Sequence, residues 1–206
     1  KEINSNKYII MPRNLKTDIK LSLINRNNID RLKYLTVVNE YIYSNYHKVC
    51  QIFTDGSFVE GLGGSSAVII PAFYITFSEA ISGFNNSIIT EMYAILSAVN
   101  IIADLIRADN TVLSPFDNKI SIFIDSLWAI KHMSYINHKK FHYLVKLTWD
   151  IVSALSIIDF TLVWLPSHIG HENNQIADSI AKEKVTSFKF PFFKVTPSPV
   201  TWGVTF

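Results

Sequence analysis

The chain has 206 residues, a formal net charge of +2 and 49% hydrophobic residues. This length and apolar content suit one sizeable domain with a buried core and exclude a globally disordered chain. The charge permits a nucleic-acid partner without requiring one, and the single cysteine, Cys50, excludes an internal disulfide and a cysteine-rich zinc site.

The first 47 residues are interpreted as a linker or arm, because short polar segments surround one predicted helix. That helix spans about residues 30–45, where apolar side chains recur at helical spacing. They are Leu32, Leu35, Val38 and Ile42. The opening KEINSNKYII has neither an initiator methionine nor the pattern of a signal peptide. We therefore expect an intracellular protein that is part of a longer chain.

Three strands are predicted next, in VCQIFTDGS (49–57), GLGGSSAVII (61–70) and PAFYITFSEA (71–80). The glycine cluster at 61–64 is typical of a tight turn or a close approach of two backbones. It precedes neither a helix nor a Walker lysine, which disfavours a phosphate-binding loop. The longest uncharged stretch, residues 61–78, is broken by glycine, serine and proline, so we expect a soluble protein without a membrane span.

From Thr90 the apolar period changes to that of a helix, which is predicted over residues 90–107 with Thr90 as its N-cap. A strand at 120–125 ends on Asp125. Two helices follow, at 126–136 and at about 141–156, and then a strand at 161–165.

The order of these elements predicts an α/β fold with a mixed sheet. The predicted domain covers residues 48–187. Residues 188–206 contain three prolines and no helical period, so they are interpreted as an extended arm. Four aromatic residues on apolar faces are interpreted as core rather than as platforms for stacked bases. They are Phe141, Tyr143, Trp149 and Trp164.

Acidic residues recur where predicted strands end or helices begin. Asp55 closes one strand, Glu91 lies on the first predicted turn of its helix, Asp125 closes another strand, and Asp178 lies on the last helix. Four carboxylates at one edge of a sheet repel one another unless a cation lies among them. Oxygen ligands of this kind suit Mg²⁺ or Mn²⁺, and a pair of such ions can hydrolyse a phosphodiester. His168, on a nearby loop, can relay a proton.

Each residue also has a structural interpretation. Asp55 before Gly56 is typical of a hairpin turn, and Glu91 complements a helix dipole. Asp125 is a plausible helix N-cap, and Asp178 can pair with Lys182 one turn further on. His168 and His171 are alternatively solvated loop residues, or an HxxH fragment of a zinc site without obvious partners.

The sequence resembles the ribonuclease H family in four motifs, which occur in the family's order. They are TDGS (54–57), TEMYAIL (90–96), IFIDS (122–126) and WLPSHIGHENNQIAD (164–178). The resemblance covers about residues 48–186. More narrowly, the wording WLPSHIG and DSLWAI and the flank DIKLSLIN…YSNYHKVCQIFTDGS resemble the ribonuclease H domain of a jockey-like non-LTR retrotransposon polyprotein. In such polyproteins this domain lies downstream of a reverse transcriptase.

The resemblance implies a five-stranded mixed sheet flanked by helices on both faces. It also implies cleavage of the RNA strand of an RNA–DNA hybrid with two Mg²⁺ ions, for which Mn²⁺ can substitute. By motif match, the metal-binding residues are Asp55, Glu91, Asp125 and Asp178. His168 then assists product release. Gly56, Ser57 and Asn174 match positions close to the substrate backbone, and the 2′-hydroxyl and the minor-groove shape distinguish RNA from DNA.

The sequence also departs from the family pattern. Gln175 stands where glutamate is usual, and NNSIIT before Glu91 differs from the bacterial asparagine arrangement. The lysine- and tryptophan-rich basic handle of some cellular members is absent. Only five residues suggest one: Lys131, His132, His138, Lys139 and Lys140. Two functions therefore remain open: an active hybrid nuclease, or a catalytically decayed domain that serves as a nucleic-acid-binding or structural scaffold.

Overall fold

The computed structural model describes residues 11–25, 29–82, 86–135 and 142–187. Within these ranges the backbone forms one six-stranded sheet and five α-helices. The strands are β1 (Leu15–Asp18), β2 (Cys50–Val59), β3 (Gly63–Ile70), β4 (Ile75–Ile81), β5 (Lys119–Ile124) and β6 (Asp159–Trp164). The helices are α1 (Arg31–Tyr46), α2 (Ser87–Ala108), α3 (Leu127–Ser134), α4 (His142–Ala154) and α5 (Glu172–Ser187). Four residues singled out above, and the expected C-terminal arm, lie outside the described ranges: His138, Lys139, Lys140, Phe141 and residues 188–206.

The sheet is mixed, in the order β1-β6-β5-β2-β3-β4. Strands β1, β6, β5 and β2 run parallel, and β2, β3 and β4 are joined as antiparallel neighbours. The predicted α/β fold is confirmed, but the sheet has six strands rather than five. The additional strand is β1, which pairs with β6 from Leu15↔Phe160 to Asp18↔Val163. The two middle residues of β1 are exposed and polar, so the segment has no apolar run from which a strand could be predicted.

Two cores lie on opposite faces of the sheet, because successive residues of a strand point to opposite sides. Ile52 and Ile122 belong to the core covered by α2, α3 and α4. The next residues, Phe53 and Phe123, belong to the core covered by α1 and α5, and their rings stack with centroids 4.8 Å apart. The predicted helices on both faces are therefore confirmed.

Helix α2 begins three residues before the predicted N-cap. The side chain of Asn86 accepts a hydrogen bond from the backbone N–H of Ile88 at 2.7 Å and caps the helix. Thr90 lies inside the helix instead, where its hydroxyl donates to the carbonyl of Ser87 at 2.7 Å. Glu91 consequently lies on the second turn, where the helix dipole has less influence.

Helix α2 has the length and apolar composition of a membrane span, with a mean hydropathy of 1.6 over its most apolar window. However, 61% of that window is buried inside the protein. The buried side chains, among them Met92, Ile95 and Ile102, belong to the core beneath the sheet. Their apolar character is accounted for by this core.

Residues before β2 are attached to the sheet by specific hydrogen bonds. The side-chain amide of Asn14 donates to the carbonyls of Val152, Leu155 and Ile158 at 2.9, 3.1 and 2.9 Å. Val152 lies in the last turn of α4, and the other two residues follow the helix. On the other face, one carboxylate oxygen of Asp18 accepts hydrogen bonds from the hydroxyls of Tyr41 and Tyr46. Helix α1 is therefore fastened to β1 as well as packed in the core.

Two further local predictions differ from the structure, namely the start of β4 and the burial of Tyr143. Strand β4 begins at Ile75 rather than at residue 71, because Pro71–Phe73 forms a 3₁₀ turn and Tyr74 has a left-handed φ of 54°. Trp149 is 3% exposed, which confirms it as core, and Trp164 is partly buried against the same core. Tyr143, however, is 75% exposed, since it lies on the solvent side of α4.

Candidate active site

Asp55 and Asp125 are neighbours because β2 and β5 are parallel and end their pairing together. The last paired residues are Thr54 and Ile124, and each aspartate follows directly. Asp55 is 4% exposed and continues β2, so the interpretation of Asp55 and Gly56 as a hairpin turn is wrong. Asp125 is not the N-cap of α3 either, because the hydroxyl of Ser126 accepts the hydrogen bond from Ala129 N–H at 3.2 Å.

Gly56 permits helix α2 to contact the backbone of β2. A Cβ at this position would lie 2.3 Å from the backbone nitrogen of Glu91 and 2.3 Å from the carbonyl carbon of Thr90. No side chain fits in that space, so glycine is required by the close approach. The approach places the Glu91 carboxylate within reach of the Gly56 N–H, which donates a hydrogen bond to it.

Three carboxylates converge at this point. One oxygen from each of Asp55, Glu91 and Asp125 lies within 4.8 Å of the others, and we call these three residues the carboxylate cluster. Glu91 Oε2 is buried and has no hydrogen-bond partner among the described residues. A buried carboxylate oxygen without a partner costs free energy unless a ligand satisfies it. An all-oxygen donor set of this kind fits a hard divalent cation such as Mg²⁺ or Mn²⁺.

Burial and mutual repulsion raise the proton affinity of the cluster. Burial, followed by the charges of Asp125 and Asp178, raises the pKa of Asp55 to about 7. Burial is also the main reason that the pKa of Glu91 lies well above its usual value, with Asp55 and Asp125 adding to the effect. Burial and the charge of Asp178 raise the pKa of Asp125, although His168 and Asn174 oppose the rise. Without a cation, the cluster therefore retains protons near neutral pH.

Asp178 lies beside the carboxylate cluster but outside its 4.8 Å group. Its side chain is 30% exposed and forms an ion pair with Lys182 Nζ at 2.7 Å, so the expected i,i+4 pairing on α5 is observed. The hydrogen bond to Asp178 raises the pKa of Lys182. Asp178 is nevertheless close enough to raise the pKa of both Asp55 and Asp125 by its charge. The structure therefore brings all four predicted acids to one place, three of them in direct proximity.

A cleft of about 260 Å³ opens next to the cluster. It is lined by Arg31, Asp125, His168, Asn174, Gln175 and Asp178, and we refer to it as the cleft. His168 is exposed on the loop between β6 and α5 and has a left-handed φ of 58°. Its charge lowers the pKa of Asp125, which places the two side chains within electrostatic contact. The predicted loop histidine is therefore found at the site.

Asn174 connects the cleft to the cluster. It is 5% exposed, and its amide donates to the carboxylate of Asp125. Its Oδ1 is buried without a partner among the described residues. Trp164 supports the same aspartate from the other side, because its indole N–H donates to the Asp125 carbonyl at 3.0 Å. Ser57 is partly buried on β2, two residues after Asp55 and on the same face of the strand.

The remaining histidine of the loop does not form a zinc site. The ring of His171 stacks on Phe53 with centroids 5.0 Å apart, and burial lowers its pKa. The metal-compatible group found among the described residues contains no histidine. His171 therefore belongs to the packing beneath the loop.

Arg31 is the cleft residue that sequence reasoning missed. It lies on the first turn of α1, within residues 1–47, which the sequence indicates as a linker or arm with one helix. Nothing in the sequence placed this helix beside the loop after β6, because the contact depends on how α1 packs on the sheet. The sequence predicts the start of this helix near Asp30, whose side chain accepts from Leu32 N–H at 2.9 Å, but not the elements that the helix contacts.

Comparisons with known proteins agree with this arrangement. Residues 47–186 match the family described as RNase H. No curated protein matches the sequence significantly. Among solved structures, LC11-RNase H1, isolated from compost by a metagenomic approach, is similar with a TM-score of 0.51 and 19% sequence identity, over 68% of this chain and 97% of that one. At this identity the structural likeness concerns the fold alone. Because the family match covers more than half of the chain and includes the carboxylate cluster and Asp178, the chain belongs to the RNase H family.

Proposed function

We propose that the chain is an endoribonuclease that hydrolyses the RNA strand of RNA–DNA hybrids with two divalent ions, Mg²⁺ or in its place Mn²⁺. The observation that carries the proposal is the carboxylate cluster, in which one oxygen of each acid lies within 4.8 Å of the others. Glu91 also has a buried oxygen, Oε2, without a hydrogen-bond partner among the described residues. Retaining three acids this close together, with Asp55 and Glu91 buried, is costly for a protein that has no cation to bind there.

Asp55, Glu91 and Asp125 are the residues that would hold the ions, together with Asp178. Divalent ions at such a site activate a water for attack on the phosphodiester and stabilise the leaving oxygen. The chain's own contribution is to hold the carboxylates rigidly. Asp55 and Asp125 follow directly after the last residues that pair β2 with β5, and Gly56 both admits α2 and donates to Glu91. Asn174 and Trp164 fix Asp125 from two sides.

His168 would move a proton during product release. It is exposed in the cleft, within electrostatic range of Asp125, on a loop segment rather than in a helix or strand. A histidine is the side chain that most often transfers protons in catalysis, so His168 is the residue proposed to accept and return a proton. The exposed position of His168 suits exchange of that proton with solvent.

Gly56, Ser57 and Asn174 are proposed to lie along the substrate backbone. Ser57 follows Asp55 on the same strand face, and the amide of Asn174 adjoins the cleft. Small and polar groups at these positions allow the substrate backbone to approach the carboxylates. Contacts to the 2′-hydroxyl and the shape of the minor groove would select the RNA strand.

We further propose an intracellular retrotransposon polyprotein as the origin of the chain, with a reverse transcriptase as the adjacent domain. The proposal rests on the wording of WLPSHIG, DSLWAI and the flank before β2. It predicts that the coding sequence upstream of residue 1 encodes a reverse transcriptase. A complete transcript that encodes a different upstream domain would contradict it.

The first test is cleavage of an end-labelled RNA–DNA hybrid with and without Mg²⁺ or Mn²⁺. We expect metal-dependent cutting of the RNA strand, and a loss of roughly a thousandfold or more in Asp125→Asn, because that change removes a carboxylate that metal binding requires. Asp150→Asn is the matched control, since Asp150 is an exposed aspartate on α4 that pairs with Lys146. Single-stranded RNA and duplex DNA test the specificity for hybrids.

Two outcomes would contradict the proposal. Cutting that persists undiminished in Asp125→Asn would assign the activity to other residues. No cutting by a folded wild-type protein with either metal would favour the decayed scaffold, and the question would then become which nucleic acid or partner the domain binds.

A further inference from the structure

Arg31 lies at the active site although it precedes the part of the chain that matches the family. The match covers residues 47–186, whereas Arg31 is the first residue of α1. Its Nε donates to the carbonyl of Ile169 at 3.4 Å, in the loop that also carries His168. Arg31 lines the cleft together with Asp125 and Asp178. The segment before the family domain therefore supplies a side chain to the catalytic face.

The charges of the residues that line the cleft indicate what Arg31 can bind there. Of the six residues that line it, two are aspartates, and Arg31 alone has a permanent positive charge. The nearby ammonium of Lys182 is already paired with Asp178 at 2.7 Å. A polyanionic substrate that approaches these carboxylates meets repulsion, which divalent ions offset at the cluster. At the cleft, the guanidinium of Arg31 is the group that can offset it.

The guanidinium is free to make further contacts. Its bond to Ile169 uses Nε and leaves the N–H groups of both terminal nitrogens. Among the ion pairs between described residues, none includes Arg31. A guanidinium presents its donors as a planar fork that matches two oxygens of a phosphate.

Arg31 is also held on a rigid support. Tyr34, Val38 and Ile42 on the same helix are buried in the core between α1 and the sheet. Asp18 fastens the far end of the helix through Tyr41 and Tyr46. The backbone of Arg31 is therefore positioned before substrate arrives, so binding has to order only the side chain.

We propose that Arg31 binds a phosphate of the nucleic-acid substrate beside the carboxylate cluster, so that the segment before β2 completes the active site. This inference rests on the proposed hybrid nuclease activity. It assigns α1 a function in substrate binding, in addition to its packing against the sheet.

The test compares Arg31→Gln, Arg31→Lys and Arg107→Gln. Arg107 is an exposed arginine that pairs with Asp104, and it lies about 24 Å from Glu91 along α2, at about 1.5 Å per residue. Hybrid affinity is measured over a range of salt concentrations in the Asp125→Asn background, where cleavage is removed. The kcat and KM values are measured with Asp125 intact, and melting temperatures report the folding of every variant.

We expect Arg31→Gln to weaken hybrid binding roughly tenfold, to raise KM, and to reduce the slope of log affinity against log salt by about one, since one phosphate contact is lost. Arg31→Lys should have the wild-type slope of log affinity against log salt, because lysine keeps the positive charge. Arg107→Gln should change none of these quantities.

Three results would overturn the inference. Wild-type affinity and salt slope in Arg31→Gln, with hybrid cleavage intact in the parent, would refute the phosphate contact and leave the proposed function standing. Lower kcat in both Arg31 variants at an unchanged slope would show that Arg31 only positions the loop. A parent protein that neither cleaves nor binds hybrids would refute the proposed function and this inference together.

Discussion

The carboxylate cluster and the cleft adjoin each other but are built differently. Asp55 and Glu91 are 4% and 7% exposed, and they are supported by strand pairing and by the contact between Gly56 and α2. In the cleft, His168 and Arg31 are exposed and come from a loop and from the start of a helix. One region is desolvated and rigid, and the other is open to solvent.

This difference matches two requirements of the proposed phosphodiester hydrolysis. Metal ligands must be held in fixed geometry, and burial makes their charges interact strongly with an ion. Substrate and product must enter and leave, which an open region lined by polar side chains allows. Asp125 belongs to both regions, since it is part of the cluster and also lines the cleft. We therefore expect changes in the cluster to affect stability strongly and changes in the cleft to affect it little.

The largest expected effect is a loss of stability of the metal-free protein as pH rises. The pKa of Asp55 is raised from 3.8 to about 7 by burial and by neighbouring carboxylates. The folded chain therefore binds this proton more tightly than the unfolded chain does. The resulting stabilisation is fully present below pH 3.8 and is lost as pH rises through about 7.

For Asp55 alone the loss is of the order of 4 kcal/mol, because a tenfold change in proton affinity corresponds to about 1.4 kcal/mol. Urea unfolding between pH 4 and pH 8, without metal, measures it. Millimolar Mg²⁺ should flatten the upper part of the profile, since an ion bound among the carboxylates replaces the proton. A flat profile without metal would show that the cluster is better solvated than its burial indicates.

The second effect concerns the contact between β2 and α2. Gly56→Ala places a Cβ 2.3 Å from two backbone atoms, so the helix must move away from the strand. We expect a loss of about 3 kcal/mol in the free energy of unfolding, and a loss of cleavage because Glu91 moves with the helix. Chemical denaturation and the hybrid cleavage assay measure the two effects.

Gly170→Ala is the matched substitution beside the cleft. There the nearest atoms, on Leu35 and Arg31, lie 3.6 and 3.9 Å from the added Cβ, and the cost is the strain of a φ of +104°. We expect a loss of about 1 to 2 kcal/mol. A larger loss in Gly170→Ala than in Gly56→Ala would reverse the proposed contrast between a rigid cluster and an open cleft.

The same contrast explains what the sequence could predict. Asp55 and Asp125 each come directly after a short apolar run that is typical of a buried strand. This local pattern was enough to predict the positions of both aspartates, and the order of the elements predicted the mixed sheet. The central helices and strands have long apolar periods and are predicted to within a few residues, with the largest differences at the start of β4 and at the start of α2. There the cap is Asn86 rather than Thr90, because several residues near the start are good N-caps.

Local apolar patterns and capping residues could not predict strand β1 or the position of Arg31 in the cleft. Two of the four residues of β1 are exposed, so the strand has no apolar run. The pairing of β1 with β6 joins residues about 145 positions apart in the sequence, from Leu15 to Phe160. Arg31 reaches the cleft because α1 packs on the face opposite α2, a contact that local periodicity does not encode. The pairing of Asp178 with Lys182 was foreseen from i,i+4 spacing, whereas its distance from the cluster required the structure.

The smallest expected effect tests how Asp178 joins the site. Lys182 occupies its carboxylate at 2.7 Å and competes there with any metal ion. Lys182→Gln should lower the free energy of unfolding by only about 0.5 kcal/mol, because the pair is partly exposed. It should also tighten Mg²⁺ binding roughly fivefold, the size of one screened charge interaction of about 1 kcal/mol. Lys146→Gln, which removes the equivalent i,i+4 pair with Asp150 on α4, is the control and should affect stability alone. If both variants bind Mg²⁺ equally in a thermal-shift titration, Asp178 does not share the ion with the carboxylate cluster, and metal binding belongs to Asp55, Glu91 and Asp125.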